Sequence, residues 1–238
     1  MSASERPLLV ISGGSGYIGS AIVAAFCAHQ WNVVILSRTK RDSSQGFVIE
    51  CDISDVNAVK RAAQQISEKF GKIHACIHAA ATPLERVSIV AASTPALMET
   101  MTTAYLGAVH LAQVLIPHMS TGGAFIGITS QVIESDSGMN PLMGGYLPAK
   151  YALRGFLRAL SAAPEARSLR VYALAPGFLP GGLNGDLPPI IQRVIAHQVG
   201  APSSTASLGE LAYTMAANPD AFLPGTSVQY PSLIAQSL

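Results

Sequence analysis

"VISGGSGYIGSAIVAAF", residues 10–26, decides the fold. An apolar β-branched run ends at Ser12, glycines follow at positions 13, 16 and 19, and an apolar helical pattern begins at once. Strand, glycine turn and helix in this order make the opening of a nucleotide-binding βαβ unit. Gly13 permits the tight turn and Gly16 lets a pyrophosphate approach the backbone, while Gly19 lets the helix pack closely. Ser15, Tyr17 and Ile18 complete the turn, and the helix N-terminus faces the anion.

Outward from this stretch, short β-branched runs alternate with longer helical patterns. Strands are expected at 8–12, 33–37, 47–50, 74–78, 124–129, 170–175 and 226–230. Helical spacing covers 18–30, 56–70, 95–119 and 151–163. Ser54 is expected to cap the second helix, Gly71 to stop it, and Thr94 to cap the third ahead of Pro95. Strands that are apolar throughout and separated by helices imply a parallel sheet covered on both faces. The expected architecture is α/β: a doubly wound Rossmann fold with about seven parallel strands. No repeat or linker interrupts it, so residues 1–238 read as one domain. "GFLPGGLNGDLPP" (177–189) is rich in Gly and Pro and opens a candidate substrate lid at about 177–198.

Bulk properties exclude several functions. A formal net charge of +1 without a basic stripe gives no electrostatic motive for nucleic-acid binding. The three cysteines and six histidines show no metal spacing, so no metal site is expected. The N-terminus lacks a signal-peptide profile and no apolar run approaches membrane-spanning length. A cytoplasmic protein that does not enter membranes is the expectation.

The second strand ends in "ILSRTKR". A carboxylate there would accept from a ribose 2′-hydroxyl and repel a 2′-phosphate. Ser37 is followed instead by Arg38, whose guanidinium can pair a phosphate in two-pronged fashion. This favours NADP(H) over NAD(H).

Six features in order then carry a family resemblance: "SGGSGYIG" (12–19), "CDISD" (51–55), "IHAAA" (77–81), "ITS" (128–130), "YLPAK" (146–150) and "RVYALAPGF" (170–178). Over essentially its whole length the chain resembles the short-chain dehydrogenases/reductases, in their single-domain branch. The resemblance implies catalytic roles for Ser130, Tyr146 and Lys150. It places the adenine at Asp52 and Ile53, lines the cofactor with Ala79 and Ala80, and shapes the nicotinamide pocket with Pro176, Gly177 and Leu179. The chemistry agrees. Reducing a ketone needs a proton at oxygen, and free tyrosine, with a pKa of ~10, donates or accepts it poorly at neutral pH. A lysine ammonium one turn along the helix is expected to lower that pKa and to reach the nicotinamide ribose.

Five departures from the family pattern stand out. Tyr17 occupies a usual glycine position, as in the extended, epimerase-like branch. Ser130 precedes Tyr146 by sixteen residues, which reads as a three-residue insertion, with Thr129 or Ser135 as alternative hydroxyls. Ala104 and His78 replace usual asparagines, and Gly181 replaces a usual threonine. The resulting expectation is an NADPH-dependent reductase that converts a small or carrier-bound ketone, a 3-oxoacyl thioester among the candidates, to a secondary alcohol. Alternatives are a non-catalytic NADP(H)-binding regulator of the same fold, or an epimerase or dehydratase using bound cofactor. The apolar circumference of "AYLGAVHLAQVLI" points to a homodimer or homotetramer built on helices 95–119 and 146–162.

Overall fold

The computed structural model describes residues 6–39, 43–134, 142–199, 204–231 and 235–237. Its strands are β1 (Leu8–Ser12), β2 (Asn32–Ser37), β3 (Phe47–Glu50), β4 (Ile73–His78), β5 (Met119–Ile128), β6 (Arg170–Pro176), β7 (Thr226–Tyr230) and β8 (Ala235–Ser237). The helices are α1 (Tyr17–Ala28), α2 (Val56–Phe70), α3 (Thr94–Met101), α4 (Gly107–Leu115), α5 (Tyr146–Ser161), α6 (Pro189–Val199) and α7 (Thr205–Ala217). One sheet runs in the order β3-β2-β1-β4-β5-β6-β7-β8. Its first seven strands pair in parallel, as expected, and β8 adds an antiparallel edge on β7.

The strands are apolar throughout because both faces are covered. In β1 the pleat sends Leu8 and Val10 into a core shared with α2, α4 and α5. Leu9 and Ile11 enter a second core with α1 and α7. The fold is therefore doubly wound. The chain moves outward from β1 through β2 to β3 and returns to place β4 on the other flank of β1, which opens a crevice at their carboxyl ends.

Two cap assignments shift by one residue. Asp55, not Ser54, caps α2 by accepting from the Asn57 N–H, while the Ser54 hydroxyl donates to Asp52. Ser93, not Thr94, caps α3, which leaves Thr94 and Pro95 inside its first turn. In each case the neighbouring side chain has the extended backbone that a cap requires. Gly71 does end α2, at φ 77. The expected 95–119 helix is divided: a π-helical turn at Thr102–Leu106 joins α3 to α4, and residues from Met119 onward belong to β5.

Candidate active site

A cleft of about 1760 Å³ opens along the carboxyl ends of the strands. Lining it are the glycine turn, Ser37 and Arg38, Asp52 and Ile53, Ala79 and Ala80, Ser130, Tyr146, Lys150, Pro176, Gly177 and Leu179.

At the β1–β4 crevice, Gly13 has φ 73, and a Cβ there would stand 2.5 Å from the Ala80 backbone nitrogen. The turn after β1 thus nests directly on the exit of β4. Gly19 lies against the Gly13 carbonyl too closely for any side chain, so this glycine joins helix to turn. Gly16 is the N-cap of α1 and no side chain caps that helix. The first N–H groups of α1 therefore face the cleft free of a side-chain acceptor, a cradle that fits a pyrophosphate.

Asp52 is exposed and orders its own loop by accepting from the Ser54 N–H (2.9 Å) and hydroxyl (2.7 Å). Ile53 is held from below, its carbonyl accepting from His110 Nδ1 at 2.8 Å. Arg38 is exposed at the end of β2 and makes no ion pair among the described residues.

At the other end, Ser130 follows β5 and Tyr146 opens α5. The Ser130 hydroxyl and the half-buried Tyr146 phenol line the same end of the cleft. Lys150, one turn along α5, is buried, and its Nζ lies 5.5 Å from the Tyr146 ring centroid. Nζ donates to the Ile128 carbonyl at 2.7 Å. The three side chains line the same end of the cleft. Of the alternative hydroxyls, Thr129 is buried and bonded to the Leu174 carbonyl at 3.3 Å, and Ser135 lies outside the described residues. The expected electrostatics need correcting. Burial pushes the Tyr146 phenol above its ordinary pKa, with the polar influence of the Ser130 hydroxyl opposing it. Burial also pulls the Lys150 ammonium down to about 8. Desolvation outweighs charge support because Lys150 spends its contact on a carbonyl.

His78 and Ala104, two of the departures, touch one another: His78 Nε2 lies 3.1 Å from the Ala104 carbonyl oxygen. Leu179 lines the cleft and is at the same time buried in the core with α1 and α7, while Phe178 and Leu183 are partly exposed in the cleft.

Three features had no local signal in sequence. Arg86, after β4, clamps Asp186 with Nη2–Oδ1 at 2.8 Å and Nε–Oδ2 at 3.1 Å, and Nη2 also donates to the Leu183 carbonyl at 2.8 Å. Glu134 is buried behind Ser130, accepting from Ser227 (2.7 Å) and paired with Arg154 of α5 (3.1 Å). Gln131 lines the cleft beside Gly177 with a buried amide nitrogen that has no hydrogen-bond partner among the described residues. The partners are far apart in sequence, so spacing could not reveal them.

A family model described as enoyl-(acyl carrier protein) reductase matches residues 15–226. The chain belongs to the short-chain dehydrogenase/reductase family. As a short-chain dehydrogenase/reductase it is an oxidoreductase of a family that binds a nicotinamide cofactor. It is 29% identical over 180 residues to the Bacillus subtilis uncharacterized oxidoreductase YhdF, across 71% of this chain and 61% of that protein. The chain thus matches less than two thirds of that relative's length. It is 24% identical over 212 residues to Danio rerio carbonyl reductase family member 4, across 84% of this chain and 87% of the relative. Among solved structures, ElxO with NADP bound superposes with a TM-score of 0.82 at 20% identity, covering 94% of this chain and 96% of that one. This likeness bears on the fold. No helix among the described residues is long and apolar enough to cross a membrane.

Proposed function

We propose that this protein is an NADPH-dependent reductase of ketones, with Tyr146 as proton donor, Ser130 as holder of the carbonyl oxygen and Lys150 as the charge that positions the cofactor ribose. The observation that carries this reading is the convergence of Ser130 and Tyr146 beside the buried Lys150 ammonium, at the far end of a cleft whose near end is the glycine cradle.

Gly16, Tyr17, Ile18 and Gly19 would hold the pyrophosphate at the start of α1, Asp52 and Ile53 the adenine, and Arg38 a 2′-phosphate. Pro176, Gly177 and the Ala79–Ala80 backbone would flank the nicotinamide half. The bound cofactor supplies the hydride to the carbonyl carbon. Tyr146 donates its proton to the developing alkoxide, and Ser130 donates a hydrogen bond to the same oxygen. A phenol raised by burial retains that proton at neutral pH, which suits reduction. Phe178 and Leu183 give the pocket apolar walls, which fits a ketone with apolar neighbours, a 3-oxoacyl thioester among them. The carbonyl reductase name of the Danio rerio relative and the NADP bound in ElxO support this reading.

We also read residues 1–238 as a single domain whose segment 177–198 is a lid. Its start is ordered, with a tight turn at Gly182–Asn184, and α6 makes its second half.

Oxidation of NADPH with a panel of ketones tests the proposal. Turnover by the wild-type protein and its loss in Tyr146→Phe is the expected result. Cofactor binding without turnover of any ketone would favour the non-catalytic regulator.

A further inference from the structure

Tyr17 is the first residue of α1, and its ring lies against the backbone of Gly181 and Gly182, where the lid begins. A Cβ at Gly181 would stand 2.5 Å from Tyr17 Cζ, 2.6 Å from Cε2 and 2.9 Å from the phenol oxygen. One at Gly182 would stand 2.8 Å from Tyr17 Cβ, and Gly182 also has φ +61. Neither position can carry a side chain while the ring is there. These two glycines are the complement of one aromatic ring, which is a different matter from a loose Gly-rich loop.

Core burial does not explain the ring, since Tyr17 is 43% exposed and lines the cleft. Its backbone belongs to the cradle that would receive the pyrophosphate. The turn it supports, Gly182–Asn184, is held again by Arg86, which grips the Leu183 carbonyl and Asp186 from the segment after β4. The lid therefore rests on the cradle through Tyr17 and on the substrate side through Arg86.

We propose that Tyr17 is the seat of the lid: a positioning residue that couples occupancy of the nucleotide cradle to closure over the substrate pocket, and so sets the rate at which cofactor leaves. Whatever orders the start of α1 steadies the ring, and the ring steadies Gly181 and Gly182. With the ring removed, the grip of Arg86 on the Leu183 carbonyl and on Asp186 is left to tie the lid to the segment after β4, and its partly exposed ion pair holds weakly. The coupling to cofactor rests on the proposed NADPH-dependent function; the seat itself does not.

Hydrogen exchange of the protein without cofactor tests the seat directly. In Tyr17→Ala, amides of residues 181–187 should exchange about five- to tenfold faster, the scale of a lost aromatic packing contact, while β4–β6 keep their protection. Tyr17→Phe retains the ring and should match wild type. Release of NADPH, followed by fluorescence in a stopped-flow chase, should speed up in Tyr17→Ala with KM for ketone rising more than kcat falls. Gly181→Ala pushes on the seat from the other side and should give the same pattern. Combined with Tyr17→Ala it should be milder than alone, because the methyl enters space the ring has left. Wild-type exchange and release in Tyr17→Ala, or simple additivity of the two substitutions, would overturn the seat. Failure of the wild-type protein to bind NADPH would overturn the proposed function and the release coupling together, with exchange still judging the seat.

Discussion

His78 Nδ1 lies 2.8 Å from Ser12 Oγ, across the neighbouring strands β4 and β1, while the opposite ring nitrogen meets the Ala104 carbonyl at 3.1 Å. A carbonyl can only accept, so Nε2 carries the proton and Nδ1 accepts from the Ser12 hydroxyl. The neutral ring ties the turn after β1 to the π-helical turn between α3 and α4. Burial first, and the Lys150 charge second, pull its pKa down to about 3. Unfolding restores the ordinary value of 6.5, so the unfolded chain binds the extra proton between those limits. Stability therefore falls as pH drops from 6.5 toward 3, by up to about 1.4 kcal/mol per pH unit from this group. We expect the thermal midpoint to decline over this range and His78→Asn to decline less steeply, since an amide can donate and accept without titrating. An equal slope in both would assign the acid sensitivity to carboxylates.

Lys150 sets a second pH limit. Its pKa of about 8 leaves the ammonium mostly charged at pH 7, and the charge is lost as pH rises through 8. Ketone reduction is expected to fall over that interval, because the charge proposed to position the cofactor ribose disappears. Tyr146→Phe should reduce turnover by at least about a hundredfold with NADPH still bound. Lys150→Met should weaken cofactor binding and move the falling limb of the rate profile to higher pH. Unaltered turnover in Tyr146→Phe would remove the catalytic assignment.

The parallel sheet was legible because each of its seven strands is a short apolar run closed by turn residues. The glycine spacing placed the cleft. The helix α6 was read only as part of the lid, and α7 and β8 were not legible, each for a physical reason. The pattern of α7 is broken by Gly209, which the structure needs because a Cβ there would stand 2.5 Å from the Ala21 carbonyl where α7 crosses α1. The edge strand β8 is three residues long, too short for an alternation to register. Within the site, Tyr146 and Lys150 were legible through the family resemblance of "YLPAK", their spacing of four agreeing with one helix face. The buried Glu134–Arg154 pair and the Arg86–Asp186 clamp were not, since nothing local marks partners brought together by the sheet.

Arg38 should determine cofactor preference. It stands exposed at the end of β2 on the cleft wall, with no carboxylate at the adjoining Ser37 and no ion pair among the described residues to compete for it. A charge-assisted bond from a guanidinium to phosphate contributes about 1.5–3 kcal/mol. Arg38→Ala should weaken NADPH binding by roughly ten- to a hundredfold and leave NADH nearly unchanged. Titration of both cofactors by fluorescence checks this, and equal losses would make the residue structural.

The helices α3 to α5 are expected to pair two copies of the chain. Met98, Leu106 and Tyr151 are exposed on them, at 59%, 36% and 42%. The inward positions Ala108, Leu111, Leu153 and Leu157 are already fully buried, so these outer apolar groups are surplus to the core. Light scattering at micromolar concentration should give a dimeric or tetrameric mass, and Tyr151→Glu should shift it toward the monomer. A monomeric wild type would reject the pairing.

The Arg86–Asp186 clamp should tune substrate affinity more than chemistry. It joins the segment after β4 to the lid, and neither residue touches Ser130, Tyr146 or Lys150 through any hydrogen bond or ion pair among the described residues. Asp186 is exposed and its carboxyl is held below its ordinary pKa chiefly by the hydrogen bond from Arg86. The clamp is thus partly solvated and open to screening. Arg86→Ala should raise KM for ketone several-fold while kcat changes less, because closure is weakened and the proton donor is untouched. Raising ionic strength from about 0.05 to about 0.5 M should produce the same rise in wild type and little further change in the variant. Hydrogen exchange supplies the structural readout: NADPH with a substrate analogue should protect residues 178–190 in wild type, and less so in Arg86→Ala. Equal protection in both proteins, with KM unchanged, would leave the clamp an ornament of the surface and return lid closure to Tyr17 alone.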